Sequence, residues 1–455
     1  MHRFLIRRAR EGKTIRPTRA LVVGFLIIIV TGALLLCLPV SSRGGHWTSL
    51  LTTLFTATSA TCVTGLILVD TYTYWSPFGQ TVILLLIQIG GLGFMSMATM
   101  FSFLMRRTIT LRERMVMTTS LNVNDMAGIV RLTKRVLLGT LFFESVGAVT
   151  LSIRFAADYG VVDGVRKGVF HAISAFCNAG FDLMGETAPF SSLTGYATDP
   201  VVNITVMSLI VLGGLGFYVW NDVYEQRSLK NLRQHTRIVL VTTAVLVLGG
   251  GLLTALWEWN NPATLGALPV QSRPMAALFQ SVTLRTAGFN TVDQSALTGP
   301  SKLLGVIWMF IGGSPGSTAG GIKTVSVAVL LLTALSAVRG RSRVHVFGRT
   351  ISPRSIMNAV TMLVVGVVLV LGGTMVLLAC EDASVTTCLY EVASAFGTVG
   401  LSMSLTPTLG VVSKITIMVL MFLGRVGVLT LGIAVLMGRQ RETKLYYPEA
   451  QVFVG

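Results

Sequence analysis

SATCVTGL (59–66), SAFCNAGF (174–181), VTLRTAGF (282–289) and SAFGTVGL (394–401) are four versions of one segment. Their glycines, Gly65, Gly180, Gly288 and Gly400, follow one another at intervals of 115, 108 and 112 residues. A second glycine landmark trails each first one, at Gly90-Gly91, Gly213-Gly214, Gly312-Gly313 and Gly424. A fixed period along the chain marks one structural unit used four times. Glycine adopts backbone conformations closed to other residues, so four of them at matching places predict four similar turns converging on one axis. A pore lined by backbone carbonyls is the expected product.

Composition places that pore. The chain is 52% hydrophobic and only 12% charged, with a mean hydropathy of +0.72, which excludes an ordinary water-soluble domain. Eight stretches have the roughly 20 apolar residues that cross a bilayer as a helix: 20–40, 82–104, 136–153, 203–220, 238–257, 303–335, 357–380 and 412–437. An even number puts both ends on one side. The N-terminal tail, the segments 106–135, 221–237 and 338–356, and the C-terminal tail hold 26 of the 36 basic residues. Cytoplasmic loops are enriched in Lys and Arg, so both termini are read as cytoplasmic.

The same distribution explains the formal charge of +17. Basic residues flank apolar spans and form no aromatic-interleaved patch, so no nucleic-acid partner is expected. Eleven of the nineteen acidic residues fall on or near the outer side, among them Asp70, Asp182, Asp293 and Glu391. An acidic outer vestibule would concentrate cations; depletion of Lys and Arg from translocated loops accounts for it equally well. The basic N-terminus and its apolar run read as a first membrane helix, because no small-x-small cleavage site ends the run. Five scattered cysteines give neither a disulfide framework nor a metal-ligand spacing, and Cys380 and Cys388 are expected as free thiols.

Within each unit the order is helix, short segment, glycine segment, second helix. Segments such as LTTLFTATSA (51–60) and KGVFHAISA (167–175) are too short to span. They predict a re-entrant helix that returns as a strand, allowed at membrane depth only where the backbone is buried in protein or lines a cavity. The expected fold is an all-α integral membrane protein: four parallel helix, pore-loop, helix repeats around one pseudo-fourfold pore. Its expected divisions are a tail at 1–19, repeats at 20–106, 107–220, 221–337 and 338–437, and a C-terminal tail at 438–455. Backbone carbonyls of Val63-Thr64-Gly65, Asn178-Ala179-Gly180, Thr286-Ala287-Gly288 and Thr398-Val399-Gly400 are the candidate potassium ligands. Rings of such oxygens replace a hydration shell, and the partially negative helix C-termini behind them favour a cation. Two of the four resemble the Thr-Val-Gly start of a potassium-channel filter, but no Gly-Tyr-Gly ending follows, which predicts a shorter filter.

Unit three breaks the pattern with IGGSPGSTAGGIKT (311–324), whose glycines and proline cannot continue a helix easily. Gly312, Gly313, Ser314, Pro315, Gly316, Ser317, Thr318, Ala319, Gly320 and Gly321 are expected as an unwound loop lining the cavity beneath the filter. Gly316 to Thr324 approaches a nucleotide-binding P-loop, but Ile322 intrudes and no soluble strand precedes it. Arg425 replaces the second glycine of the pair in unit four, and a cation inside a span needs partners. Freed carbonyls of the unwound loop suit it. Lys323 is expected to reach toward the cytosolic interface and Arg285 to brace the third filter from behind. His171 reads as structural, and Glu144 and Glu391 as the carboxylates within the membrane, each expected to pair with a nearby cation or hydroxyl.

CNAGF (177–181), RTAGFN (285–290) and GGSPGSTAGGIKT (312–324), set in four glycine-centred units, resemble the Trk/Ktr/HKT superfamily of potassium transport proteins. Only one span precedes the first filter, so the chain looks most like the membrane subunit of a bacterial Ktr system. The resemblance implies potassium uptake through the cell membrane, stimulated by sodium as an activator, with no organic cofactor. It also implies a homodimer of pores seated on a cytosolic ring of nucleotide-binding, RCK-type regulatory subunits, and it assigns the 312–321 loop and Arg425 to the gate. A carrier with inverted repeats is disfavoured because every unit begins on the basic side. An enzyme is disfavoured because no nucleophile and base or His/Cys/Glu cluster is present.

Overall fold

A computed structural model describes residues 17–93, 129–341 and 343–427. The tail residues 1–16, the ends of the expected spans 82–104 and 412–437, most of the cytoplasmic segment before the second repeat, and the tail 438–455 lie outside the described residues. The fold is helical. In chain order the main helices are α1 (Pro17–Cys37), α2 (Leu50–Thr61), α3 (Pro77–Leu92), α4 (Ile129–Tyr159), α5 (Val161–Phe176), α6 (Pro200–Leu215) and α7 (Phe217–Gln226). They continue as α8 (Gln234–Glu258), α9 (Arg273–Thr283), α10 (Gly299–Phe310), α11 (Thr324–Val338), α12 (Pro353–Cys380), α13 (Val385–Gly397) and α14 (Val411–Val426). A two-residue hairpin, β1 (His345–Val346) against β2 (Arg349–Thr350), joins α11 to α12.

A long helix, a short helix, a glycine segment and a further helix recur in that order four times. The long helices α1, α4, α8 and α12 are the ones long and apolar enough to cross a membrane among the described residues. In α4, α8 and α12 only 28% of the most apolar window is buried. Ile153, Leu252 and Val368 are each more than 60% exposed, a surface that water would disfavour and lipid would not. The short helices start on local caps: Ser49 Oγ accepts from Thr52 N–H at α2, and Ser384 Oγ from Thr387 N–H at α13. With 11 to 16 residues, and 1.5 Å rise each, none covers the ~30 Å of a hydrocarbon core.

The expectation of eight continuous spans, with a break in unit three alone, is corrected here. The 303–335 stretch is indeed two helices, α10 and α11, but α6 and α7 also meet at a bend of 91°. The bend is at Gly216, where φ is +95°. Gly93 (φ +81°) ends α3 and Gly427 (φ +87°) ends α14. Each stands three residues after Gly90, Gly213 or Gly424, a spacing that reading the pairs alone passed over. Positive φ at this position turns the chain where an L-residue would keep it helical.

Each unit's further helix packs on the short helix of the next: α3 on α5, α6 on α9, α10 on α13, and α14 back on α2. The circle closes. Within a unit, Gly90, Gly213 and Gly424 bring the further helix against its own short helix as well, since a side chain there would strike the carbonyls of Thr61, Phe176 and Phe396 at the end of that helix. One apolar core containing Phe55, Phe155, Phe176, Phe279 and Phe396 runs through all four units.

Candidate ion-conduction site

The four repeated segments take one backbone course. Two residues before each glycine, Val63, Asn178, Thr286 and Thr398 have φ of +57°, +59°, +64° and +51°. Three of these are β-branched, the type that tolerates positive φ least. The glycines follow with φ of +92°, +68°, +83° and +94°. Such turns persist only where the surroundings impose them, and the surroundings here repeat too. Thr64, Ala179 and Val399 N–H donate to the Ser59, Ser174 and Ser394 carbonyls, each at 2.8 Å. Gly65 and Gly400 N–H donate to the hydroxyls of Ser59 (3.1 Å) and Ser394 (3.0 Å), while Ser174 Oγ donates to the Phe181 carbonyl (2.7 Å). Unit three shifts by one residue: Thr283 takes the place of the serine, its hydroxyl donating to the Phe289 carbonyl.

The four turns meet. A side chain on Gly65 would strike the Ala179 carbonyl, on Gly180 the Ala287 carbonyl, on Gly288 the Val399 carbonyl, and on Gly400 the Thr64 carbonyl. The contacts run from unit one through units two, three and four back to unit one. Above the glycines opens a cavity of about 370 Å³, bordered by all four and by Asp182, Asp293 and Asn290. Among the described residues the hydroxyl oxygens of Thr64 and Thr398 are buried without a partner, which leaves oxygen acceptors beside the ring for a cation or its water.

Behind the ring, polar residues of the short helices tie down the returning chain. Glu391 accepts from Ser402 Oγ (2.8 Å) and from Thr406 Oγ1. Gln280 and Gln294 exchange amide hydrogen bonds (2.7 and 3.1 Å), and Tyr390 Oη donates to Gln294 (2.9 Å). His171 accepts from Leu183 N–H (3.4 Å) through Nε2 and contacts the Lys167 carbonyl through Nδ1 (2.7 Å), the structural role its position indicated. The leading serines and the Gln280–Gln294 pair escaped the sequence reading, although the serine opens three of the four quoted segments. Glu144 accepts from the Gln88 amide (3.1 Å) and the Cys177 thiol (3.8 Å), and not from the cation or hydroxyl expected for it, whereas Glu391 does take hydroxyl partners. All five cysteines are free. Outside the spans, Glu186 binds Lys167 (2.7 Å), and that hydrogen bond holds its carboxyl below the usual range.

The 311–323 segment lies against the face of the ring opposite the cavity bordered by the glycines. Its ends are pinched together by Gly312 N–H to the Ile322 carbonyl (2.9 Å) and Thr324 N–H to the Gly313 carbonyl (3.0 Å). Its body is laced to the bend in unit two, with Ser314 N–H on the Gly214 carbonyl (3.0 Å) and Phe217 N–H on the Gly316 carbonyl (2.9 Å). Thr318 is buried at the centre. Its hydroxyl lies 3.3 Å from the Phe176 carbonyl and 3.2 Å from the Asn178 amide, whose nitrogen is turned toward it. Gly320 abuts the Thr398 side chain so closely that no Cβ would fit. The loop therefore touches the glycine segments of units two and four.

Arg425 donates from Nη1 to the Thr318 carbonyl, and from Nη2 to the carbonyls of Gly90 and Gly91, the latter at 2.9 Å. It joins unit four to the loop of unit three and to the helix end of unit one. Lys323 departs from its expected course toward the cytosolic interface: Nζ turns back onto the Ala319 (2.7 Å) and Gly320 (3.3 Å) carbonyls, because the open loop offers acceptors nearer than water. Arg285 departs too. It is 5% exposed, and among the described residues its guanidinium makes no hydrogen bond or ion pair, so it braces nothing by polar contact.

Apolar long helices around short helices that end in four abutting turns define a multi-span membrane protein. Comparison with known proteins gives the family. A family model described as TrkH, cation transport protein, matches residues 16–441, and the chain belongs to that family of transporters, which are not enzymes. It is 38% identical to the potassium/sodium uptake protein NtpJ of Enterococcus hirae over 99% of this chain and 100% of that one. It is 39% identical to the Ktr system potassium uptake protein B of Bacillus subtilis over 96% of this chain and 97% of that one. The crystal structure of the potassium transporter TrkH from Vibrio parahaemolyticus shares the fold, with a TM-score of 0.72 at 18% identity, covering 94% of this chain and 86% of that chain.

Proposed function

We propose that the chain takes up potassium across the bacterial cell membrane, through a selectivity filter formed by the carbonyls of Thr64, Ala179, Ala287 and Val399 and of the residues beside them. The observation that carries this reading is the closed ring, in which each of the four glycines lies against the carbonyl of the next unit. A potassium ion gives up its water only where several oxygens replace it together. The ring offers such a set, and the C-terminal ends of α2, α5, α9 and α13 add a partially negative field.

Below the filter, the 312–321 loop is the gate and Arg425 its latch. The loop obstructs by bulk, while the guanidinium places a positive charge next to the path and holds the loop through Thr318. Opening would release these hydrogen bonds. The four repeats, both termini in the cytoplasm and a homodimer belong to the same reading. So does control by a separate cytosolic, nucleotide-binding subunit ring of the RCK type, with sodium as activator. Relatives named as Ktr system potassium uptake protein B support a multi-component system.

The test is flux through the purified chain in liposomes. Potassium uptake that proceeds without a sodium gradient supports a gated channel, and absence of potassium flux under any gradient contradicts the proposal. A second reading, in which sodium is also carried, is favoured by the name of the Enterococcus relative. Potassium flux strictly proportional to sodium flux would select it.

A further inference from the structure

We propose that the connection between α11 and α12 is a binding site for an anionic phospholipid, its phosphate held by Arg341 and Arg343. A cavity of about 590 Å³ opens between the end of α11, the start of α12 and the β1–β2 hairpin. Arg341, Arg343, Thr333, Ser336, Thr350 and Ser352 border it, so its lining is cationic and rich in hydroxyl groups. Among the described residues neither arginine makes a side-chain hydrogen bond or ion pair. Nor is there local neutralisation in the sequence: no Asp or Glu occurs between Asp293 and Glu381, a stretch that also carries Arg339, Arg349 and Arg354. Two arginines converging on one cavity without a carboxylate form a receptor for a phosphate, which takes two or more guanidinium donors at once.

The surroundings select the lipid over a free anion. The α11 face next to the cavity presents Leu335 and Val338, the latter 86% exposed, and the α12 face presents Met357, 66% exposed, and Val360. Leu335, Val338 and Met357 adjoin the lining residues Ser336, Ala337 and Ile356 in sequence, and all four side chains leave apolar surface exposed beside the polar lining. A soluble phosphate gains nothing from them. A headgroup seated on the arginines would lay its acyl chains along them, and basic pockets between membrane helices at the cytoplasmic surface suit this use. The inference rests on α11 and α12 lying in the membrane; it does not depend on the filter or gate.

The experiment is lipid binding to the whole purified chain in neutral detergent, read by native mass spectrometry. Phosphatidylglycerol and phosphatidylcholine are offered at equal concentration, with and without millimolar inorganic phosphate. The wild type should retain phosphatidylglycerol at least fivefold over phosphatidylcholine, and inorganic phosphate should leave that ratio unchanged. Arg341→Gln with Arg343→Gln should bring the two lipids level. Ser336→Trp, which fills the cavity and keeps both charges, should do the same. Each variant is first checked for an unaltered thermal midpoint in lipid-free detergent, and Arg341→Lys with Arg343→Lys replaces a variant that melts early and should give intermediate retention. Equal retention of both lipids by the wild type, an unchanged ratio in the variants, or displacement of lipid by inorganic phosphate would overturn the site. Potassium flux in phosphatidylcholine liposomes, measured in parallel, separates this failure from failure of the transport reading.

Discussion

Arg425, in the last turn of α14, donates to the backbone carbonyl of Thr318, 107 residues earlier in the chain and at the centre of the loop that interrupts unit three. The same guanidinium reaches the carbonyls of Gly90 and Gly91 at the end of α3. One half-buried cation thus fastens three units beneath the ring. It does so with backbone acceptors that only unwound or terminal helix segments leave free.

Replacing Arg425 with Ala should raise potassium flux, because it removes both the latch on Thr318 and a positive charge from the path. Deleting Pro315, Gly316 and Ser317 should raise flux as well. Both changes act on one barrier, so the double variant should gain less than the product of the two single gains. Uptake at matched expression checks this. Flux at the parent level in folded, loop-shortened protein would leave the loop as a packing feature.

Ser394→Ala removes the acceptor for Gly400 N–H. A buried donor left unpaired costs about 1–3 kcal/mol. Because that donor holds a filter turn, the loss should appear as a lower potassium-to-sodium flux ratio together with a lower melting point. Ser394→Thr keeps the hydroxyl and should preserve most of the ratio. A loss equal in both variants would show that volume, and not the hydrogen bond, matters at this position.

Legibility in the sequence followed the kind of signal. The four glycine turns were readable because glycine at a positive φ has few substitutes, so a period of glycines directly reports a period of turns. The loop of unit three was readable from Pro315 and its glycines. The bend at Gly216 was not, since LGGLGF lies in an apolar run that passes every test for a span, and a single glycine in such a run usually stays helical. The Lys323 contacts were hidden because its side chain can reach either the interface or the loop, and only the folded position of the loop decides. Likewise the Gln280–Gln294 and Tyr390–Gln294 bonds join elements whose meeting is a tertiary fact.

Glu186→Gln should destabilise unit two around Lys167. Lys167 is 2% exposed and would lose its ionised partner, although Glu186 is half exposed. The cost should therefore fall below the ~3–5 kcal/mol of a fully buried pair. The carboxyl of Glu186 is held below its ordinary value, so its contribution is full above the normal carboxylate range and is lost as pH falls through the depressed value. Melting curves should show wild type and variant well separated at pH 7 and converging below about pH 4. A separation that stays constant down to pH 3 would mean that charge is not the source.

The central claim is that the four glycine turns form one potassium-selective ring, and the most direct measurement is the potassium-to-sodium flux ratio of purified wild type and Gly65→Ser in liposomes. A Cβ at Gly65 would strike the Ala179 carbonyl of the next unit, at a backbone φ of +92° that a side chain strains further. The ring must then open or tilt. The account predicts a wild-type preference for potassium and, in folded Gly65→Ser protein, a ratio reduced by tenfold or more while sodium flux is kept or increased. An unchanged ratio in that variant would contradict it.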